Sequence, residues 1–236
     1  MNSSTDFQKS KNIIENKEIQ NDETEGKMQL TDIRELIDHA EAIVFDIGNV
    51  LIAFAWEEYI QSLGFDEETC EHVADAMFRN KDWDAGDSGL VTTQEWLNLF
   101  IENDPAYETQ IRYTFENFGK SIVPYEFTRP WTMGLRQKKS LYFLSNYSEE
   151  MFRQSKEQLD FLGYFNGGVF SWEEKCMKPD DEIYRILLKR YHLVPEKCVF
   201  FDDRIENVEG ARRAGMKAVL FHTDIPLQLL KKSCNI

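Results

Sequence analysis

The polar residues of this chain that could share one reaction stand at the ends of short apolar runs. Asp46-Ile47-Gly48-Asn49-Val50 follows the run Ala42–Phe45, Ser145-Asn146 follows Leu141–Leu144, and Asp202-Asp203 follows Val199–Phe201. Lys178-Pro179 stands just before a helical pattern whose first turn is acidic. Each fragment alone is explained by a turn, a helix cap or a solvated loop. Together they have a coherent chemistry. A carboxylate pair gathers Mg²⁺, which prefers hard oxygen ligands and accepts one or two carboxylates plus phosphate oxygens. An aspartate also attacks phosphorus to form an acyl phosphate. A Ser hydroxyl, an Asn amide and a Lys ammonium are suitable donors to phosphoryl oxygens, whose charge must be held through transfer. A chain of formal net charge −15 would repel a phosphomonoester without such a local cationic pocket. The set points to phosphoryl transfer.

These residues need a scaffold that brings the ends of the runs together. Ala42–Phe45, Leu141–Leu144, Val169–Phe170, Val199–Phe201 and Ala218–Phe221 are continuously apolar, and most are separated by amphipathic segments such as Ile183–Tyr191 and Ile205–Ala214. Continuous rather than alternating hydrophobicity predicts strands buried on both faces, in a parallel sheet covered by helices. In such open sheets ligands bind outside the carboxyl ends of the strands. Residues 56–125 differ: they carry 15 acidic and 4 basic side chains, a net −11. Apolar residues recur there at three and four over Trp56–Leu63, Glu68–Arg79, Thr93–Ile101 and Tyr107–Phe118, which predicts helices. Thr92 and Glu95 have the spacing of a capping box. The expected fold is α/β: a Rossmann-like three-layer core with a parallel sheet, built from residues 29–55 and 126–236, with an all-helical insertion over 56–125. Residues 1–28 are polar and poor in aromatics and read as a flexible tail.

The pieces FDIGNVL (Phe45–Leu51), FLSN (Phe143–Asn146), MKPDDEIY (Met177–Tyr184) and FFDDRIENVEGARRAGM (Phe201–Met216) closely resemble the four ordered motifs of the haloacid-dehalogenase-like (HAD) hydrolase superfamily. The form DxGNV resembles the branch that includes the alpha-D-glucose-1-phosphatases. The resemblance covers about residues 40–225. It implies that Asp46 is the nucleophile and a Mg²⁺ ligand, and that the Gly48 carbonyl and Asp203 complete the protein's share of the metal shell. Ser145 and Asn146 would bind phosphate, and Lys178 would neutralise nucleophile and phosphoryl group. Asp202, Asn207 and Asn49 would support the site. The helices over 56–125 would form a cap that excludes water and selects the leaving group. One departure matters. Most phosphatases of the superfamily carry an Asp two residues after the nucleophile as general acid and base, whereas here that position is Gly48. The glucose-1-phosphatase-like branch shows glycine there too, so the resemblance is compatible with turnover and assigns no proton donor.

Composition narrows the remaining choices. With 42% hydrophobic and 13% aromatic residues the chain can build a real core, which excludes global disorder. The negative charge argues against nucleic acid or an anionic membrane as partner. No apolar run approaches the roughly 18 residues of a membrane helix, and the first 20 residues lack the apolar stretch of a secretory signal. Cys70, Cys176, Cys198 and Cys234 show no CxxC spacing and read as thiols of a reducing cytoplasm. His39, His72, His192 and His222 lack metal-ligand spacing. Trp83-Asp84-Ala85-Gly86-Asp87-Ser88-Gly89 reads as a turn between insertion helices that resembles the family's cap loop, with Trp83 and Asp87 as substrate contacts. The expectation is a cytoplasmic, Mg²⁺-dependent hydrolase of a small phosphorylated metabolite, a sugar phosphate among them; no protein partner is inferable. A non-catalytic binding protein of the same fold is the alternative. Metal-independent dehalogenation is disfavoured, because clustered carboxylates such as Asp202-Asp203 repel without a cation.

Overall fold

Ala42-Ile43-Val44-Phe45 is apolar at every position because both its faces are covered. Ile43 and Phe45 pack into one hydrophobic cluster, Ala42 and Val44 into the other. The computed structural model describes residues 28–233, so the tail read over residues 1–28 lies, except for Met28, outside the described residues. The chain runs α1 (Leu30–His39), β1 (Ala42–Phe45), β2 (Ile52–Phe54), α2 (Trp56–Ser62), α3 (Glu67–Val73), α4 (Trp83–Asp87), α5 (Thr93–Asn103) and α6 (Glu108–Phe115). It continues through β3 (Ile122–Pro124), α7 (Thr128–Arg136), β4 (Ser140–Ser145), α8 (Glu149–Gln154), β5 (Gly167–Phe170) and α9 (Ser171–Glu174). It ends with α10 (Asp181–Arg190), β6 (Cys198–Asp202), α11 (Ile205–Arg213), β7 (Lys217–Leu220) and α12 (Asp224–Ser233).

Five strands form one parallel sheet in the order β5-β4-β1-β6-β7. Helices α10 and α11 cover one face through Ile183, Tyr184, Leu187, Val208 and Ala211. Helices α1, α7 and α12 contribute Ile33, Ile37, Trp131 and Ile225 to the cluster on the other. There the Trp131 ring meets Phe45 edge-on, with centroids 4.9 Å apart. The register then fixes the site. Phe45 lies opposite Phe143 of β4 and Phe201 of β6, so Asp46, Ser145 and Asp202 all fall within two residues of one line across the sheet's carboxyl edge.

The chain leaves and re-enters the core through an antiparallel ribbon, β2 against β3, with Ile52 opposite Pro124 and Phe54 opposite Ile122. The sequence pattern did not announce this ribbon, and β3 falls inside the stretch read as helical. Helices α2 to α6 lie between the two strands. The capping box forms at the start of α5: Glu95 N donates to Thr92 Oγ1 at 3.2 Å, and Thr92 N donates to the Glu95 carboxylate at 2.8 Å. The helix expected over Glu68–Arg79 stops as α-helix at Val73 and continues as a π-turn, Ala74–Phe78, where Arg79 N reaches back to the Ala74 carbonyl at 2.9 Å. Trp83–Gly89, expected to be a turn, contains the one-turn helix α4. Packing decides this local structure. Trp83 lies 5.2 Å from Trp96 and 5.1 Å from Phe54, and a Cβ on Gly86 would stand 2.4 Å from the Trp96 ring. Only glycine lets α4 approach so closely. Cys198 is buried, and Cys70 and Cys176 are half-buried free thiols; Cys234 lies outside the described residues. No helix among the described residues is long and apolar enough to cross a membrane.

Candidate active site

Asp46 is the first residue past β1 and is only 8% exposed. Three donors converge on one of its oxygens. Oδ1 accepts from Ile47 N at 2.7 Å, from Ser145 Oγ at 2.7 Å and from Lys178 Nζ at 2.9 Å. Oδ2 accepts from none of the described residues. The carboxylate is thus held by one oxygen, with the other uncommitted.

Lys178 arrives from the loop between α9 and α10. Its side chain is 1% exposed, and its ammonium bridges Asp46 and Asp202, the latter at 2.6 Å. Asn146 fixes the loop: its Nδ2 donates to the Lys178 carbonyl at 2.9 Å, and its Oδ1 accepts from Lys178 N at 2.8 Å. Asp202, fully buried at the end of β6, is saturated. It accepts from Arg204 N at 2.9 Å and from Asn207 Nδ2 at 3.0 Å and 3.1 Å, besides Lys178. Asn207 therefore serves Asp202, whereas Asp203 receives Asn49 Nδ2 at 3.2 Å. Asp202 and Asp203 are neighbours with separate tasks.

Charge is concentrated here beyond what one lysine balances. Burial pushes the Asp46 carboxyl up to about 7; Lys178 pulls it down, and the like charges of Asp202 and Asp203 push it up. Burial, then Asp202, also raise Asp203, against Asn49 and Lys178. For Lys178 burial acts downward, but Asp202 and Asp46 outweigh it and hold the ammonium above its ordinary value. Asp46, Asp202 and Asp203 each offer a ligand oxygen within 4.8 Å of the others. This is a hard-oxygen donor set with an unmet need for positive charge, which fits Mg²⁺ better than a softer metal. Because both oxygens of Asp202 already accept hydrogen bonds, Asp46 and Asp203 are the carboxylates left to hold such an ion.

These groups open into a cavity of about 250 Å³, also lined by Gly48, Asn49, Asn146, Trp83, Asp84 and Asp87. A Cβ built on Gly48 would meet nothing within 4 Å, so the position is open space. The structure therefore brings to one cavity Asp46, Gly48, Asn49, Asn146, Lys178, Asp203, Asn207, Trp83 and Asp87, with Ser145 and Asp202 hydrogen-bonded to its members. The four histidines are absent from its lining. Sequence reasoning passed over Ser171. It directly follows the apolar run Val169–Phe170, and the rule that polar residues at strand ends deserve inspection would have found it. Its Oγ accepts from Tyr147 N at 2.9 Å and donates to the Asp87 carbonyl. This ties α4 to the loop after β4.

Comparisons with known proteins bear on the family and the fold. The family model described as haloacid dehalogenase-like hydrolase matches residues 40–215. A drimenol cyclase of Aspergillus calidoustus is 25% identical over 185 residues, 77% of this chain and 34% of that protein. A phosphorylated carbohydrates phosphatase of Thermotoga maritima is 44% identical over 62 residues, 26% of this chain and 29% of that protein. The chain thus spans about a third of the length of these relatives. A solved HAD-family enzyme of Bacteroides thetaiotaomicron, in complex with magnesium and inorganic phosphate, superposes with a TM-score of 0.59 at 21% identity. It covers 76% of this chain and 92% of its own, and so shares the fold. With the family model matched from the first strand of the sheet to the end of α11, the chain belongs to the haloacid dehalogenase-like hydrolase family.

Proposed function

We propose that this chain is a Mg²⁺-dependent phosphatase that hydrolyses a small-molecule phosphomonoester through an aspartyl-phosphate on Asp46. The observation that carries this reading is the asymmetry of the Asp46 carboxylate. Three donors hold Oδ1, so Oδ2 can attack phosphorus from a fixed direction, and pre-orientation of this kind lowers the entropic part of a barrier. Lys178 and Ser145 hold the nucleophile and face the developing phosphoryl charge. Asn146 acts through Lys178, whose backbone it clamps. Asp46, Asp203 and the Gly48 carbonyl would hold the metal, with Asn49 steadying Asp203. The ion, when bound, supplies positive charge to the phosphoryl oxygens. Water then cleaves the acyl phosphate and restores Asp46.

In this reading the helices over residues 56–125 act as a cap above the site, and Trp83 and Asp87 face the leaving group. The Thermotoga relative acts, by its name, on phosphorylated carbohydrates, and the DxGNV motif resembles the glucose-1-phosphatase branch. Both support sugar phosphates as the first class to test. The free thiols suit a reducing compartment, which supports a cytoplasmic site of action.

The test is release of inorganic phosphate from a panel of phosphorylated metabolites, with Mg²⁺ and with a chelator. We expect release that depends on Mg²⁺. Folded protein that releases no phosphate from any member, or that instead releases halide from 2-haloacids without metal, would overturn the reading.

A further inference from the structure

A phosphatase with glycine at position 48 has no core carboxyl beside the leaving oxygen, and the helical block brings one to the same cavity. We infer that Asp87 is the general acid that protonates the leaving oxygen, and the general base that then deprotonates the attacking water. The inference rests on the phosphatase reading above and extends it to a residue.

Placement is the first argument. Asp87 ends α4 and lines the cavity together with Asp46, Gly48 and Lys178. Its side chain makes no hydrogen bond to the described residues, whereas its main chain is anchored. Ser171 Oγ donates to the Asp87 carbonyl, and Lys175 Nζ donates to the Gly89 carbonyl at 2.9 Å. Core residues thus pin the end of α4 over the site. The space beside Gly48, with nothing within 4 Å of a built Cβ, lies in the same cavity.

Elimination is the second. Of the other titratable groups lining this cavity, Asp46 is the nucleophile and Asp203 the candidate metal ligand. Lys178 is committed to two carboxylates. The Tyr147 hydroxyl pairs with Ser155 Oγ at 2.9 Å, and burial drives its titration above the ordinary phenol range. Arg204 carries a guanidinium, which is not among the groups that serve as general acids. Asp84, one turn earlier on α4, is solvent-exposed. Asp87 remains.

Its ionisation suits the task. Burial pushes the Asp87 carboxyl up to about 8, the charges of Asp84 and Asp46 add to this, and Lys178 opposes it. A carboxyl that keeps its proton at neutral pH can give it up in the transition state. In the first step Asp46 Oδ2 bonds to phosphorus, the phosphorus–oxygen bond to the leaving group breaks, and that oxygen takes the Asp87 proton. In the second, water bonds to phosphorus, its proton passes to the Asp87 carboxylate, and the acyl phosphate bond breaks. Phosphate and alcohol leave, and both carboxyl groups return to their starting forms.

The experiment compares wild type with Asp87→Asn and Asp87→Glu, with Mg²⁺ present, on alkyl phosphates and on aryl phosphates of graded leaving-group pKa. An alkoxide needs a proton to leave and 4-nitrophenolate does not. We expect Asp87→Asn to lose about 10²–10⁴-fold in kcat/KM on alkyl phosphates and less than about tenfold in kcat/KM on 4-nitrophenyl phosphate, because kcat/KM ends at departure of the leaving group. The value of kcat, which includes cleavage of the shared aspartyl-phosphate, should fall on both classes. Its dependence on leaving-group pKa should turn from shallow to steep. Wild-type kcat/KM on alkyl phosphates should fall as pH rises through the Asp87 ionisation, and that limb should vanish in the variant. Asp87→Glu, which keeps a carboxylic acid, should retain part of the alkyl activity. Equal losses in kcat/KM on both substrate classes, no loss at all, or Asp87→Glu as impaired as Asp87→Asn would overturn the inference while leaving the phosphatase reading intact. A wild-type protein inert on both classes would instead fail the phosphatase reading, and the inference with it.

Discussion

Lys178 is caged between Asp46 and Asp202 with almost no access to water, and the energetics of such a cage are asymmetric. Removing one partner leaves a buried charge uncompensated, which typically costs about 3–5 kcal/mol. Lys178→Ala, which strands the Asp46 and Asp202 carboxylates together, should therefore lower unfolding free energy by about that amount in urea titrations, besides damaging activity; a loss below about 1 kcal/mol would show that Lys178 is not the buried ion described here. Asp46→Asn is a different case, because the amide keeps the shape and removes the nucleophile. It should cut turnover by on the order of 10⁴-fold or more with an unchanged circular dichroism spectrum, and near-normal activity in a folded variant would refute the assignment. The sequence made the members of this cage legible, since each follows an apolar run or opens a helix, but not their pairing. Asp202 and Asp203 look equivalent as letters. Successive residues leaving a strand point to opposite sides, so one turns inward to Lys178 and Asn207 and the other toward Asn49 and the cavity. Only the strand's register decides which.

At the scale of elements, the position of α4 depends on one missing methyl group. The Cβ that Gly86→Ala would add falls 2.4–2.6 Å from the Trp96 ring, and overpacking of this kind costs about 1–3 kcal/mol. Gly134 on α7 offers the control: a Cβ there meets nothing within 4 Å, so Gly134→Ala should be neutral or stabilise by up to about 1 kcal/mol. Thermal melts of the two variants check both signs. Because α4 carries Asp87, Gly86→Ala should also depress activity on alkyl phosphates more than on aryl phosphates. The strands of the parallel sheet were readable because burial on both faces makes them continuously apolar. The ribbon of β2 and β3 was not. Each of its strands is three residues long, and its partner lies about 70 positions away, so the pairing comes from tertiary context rather than local propensity. Helix α4 escaped for a related reason: its composition, Trp-Asp-Ala-Gly-Asp, favours a turn, and contacts with Trp96 and Phe54 override it.

The whole molecule sets an acidic block against a nearly neutral core, since residues 56–125 carry most of the net charge while residues 126–236 are close to balanced. Two consequences follow from where that charge meets the site. The first concerns the metal. Asp46 and Asp203 are both raised by burial, so without a cation the folded state favours their protonated forms. Their contribution to stability is then fully present below the ordinary carboxylate range and is lost as pH rises, for Asp46 through about 7. A bound cation removes that penalty. Mg²⁺ should accordingly raise the melting temperature more at pH 8 than at pH 5, measured against a chelated sample; an equal or reversed shift would place the ion elsewhere. The second concerns the substrate. The cavity wall carries Asp84 and Asp87 from the acidic block beside Trp83, Phe54, Ile122 and Met151, with Arg204 the one cation on its outer side besides buried Lys178. A leaving group bearing an extra negative charge must approach the Asp84 carboxylate and the acidic block behind it, at a cost of roughly 1 kcal/mol for one charge near the solvent boundary. Neutral polyol or amine-bearing leaving groups should therefore be preferred over carboxylate-bearing analogues of the same size by about fivefold in kcat/KM. The preference should shrink as added salt screens the block. A profile dominated by bisphosphates or nucleoside triphosphates, or a discrimination indifferent to salt, would mean that the acidic block faces away from the path by which substrate enters.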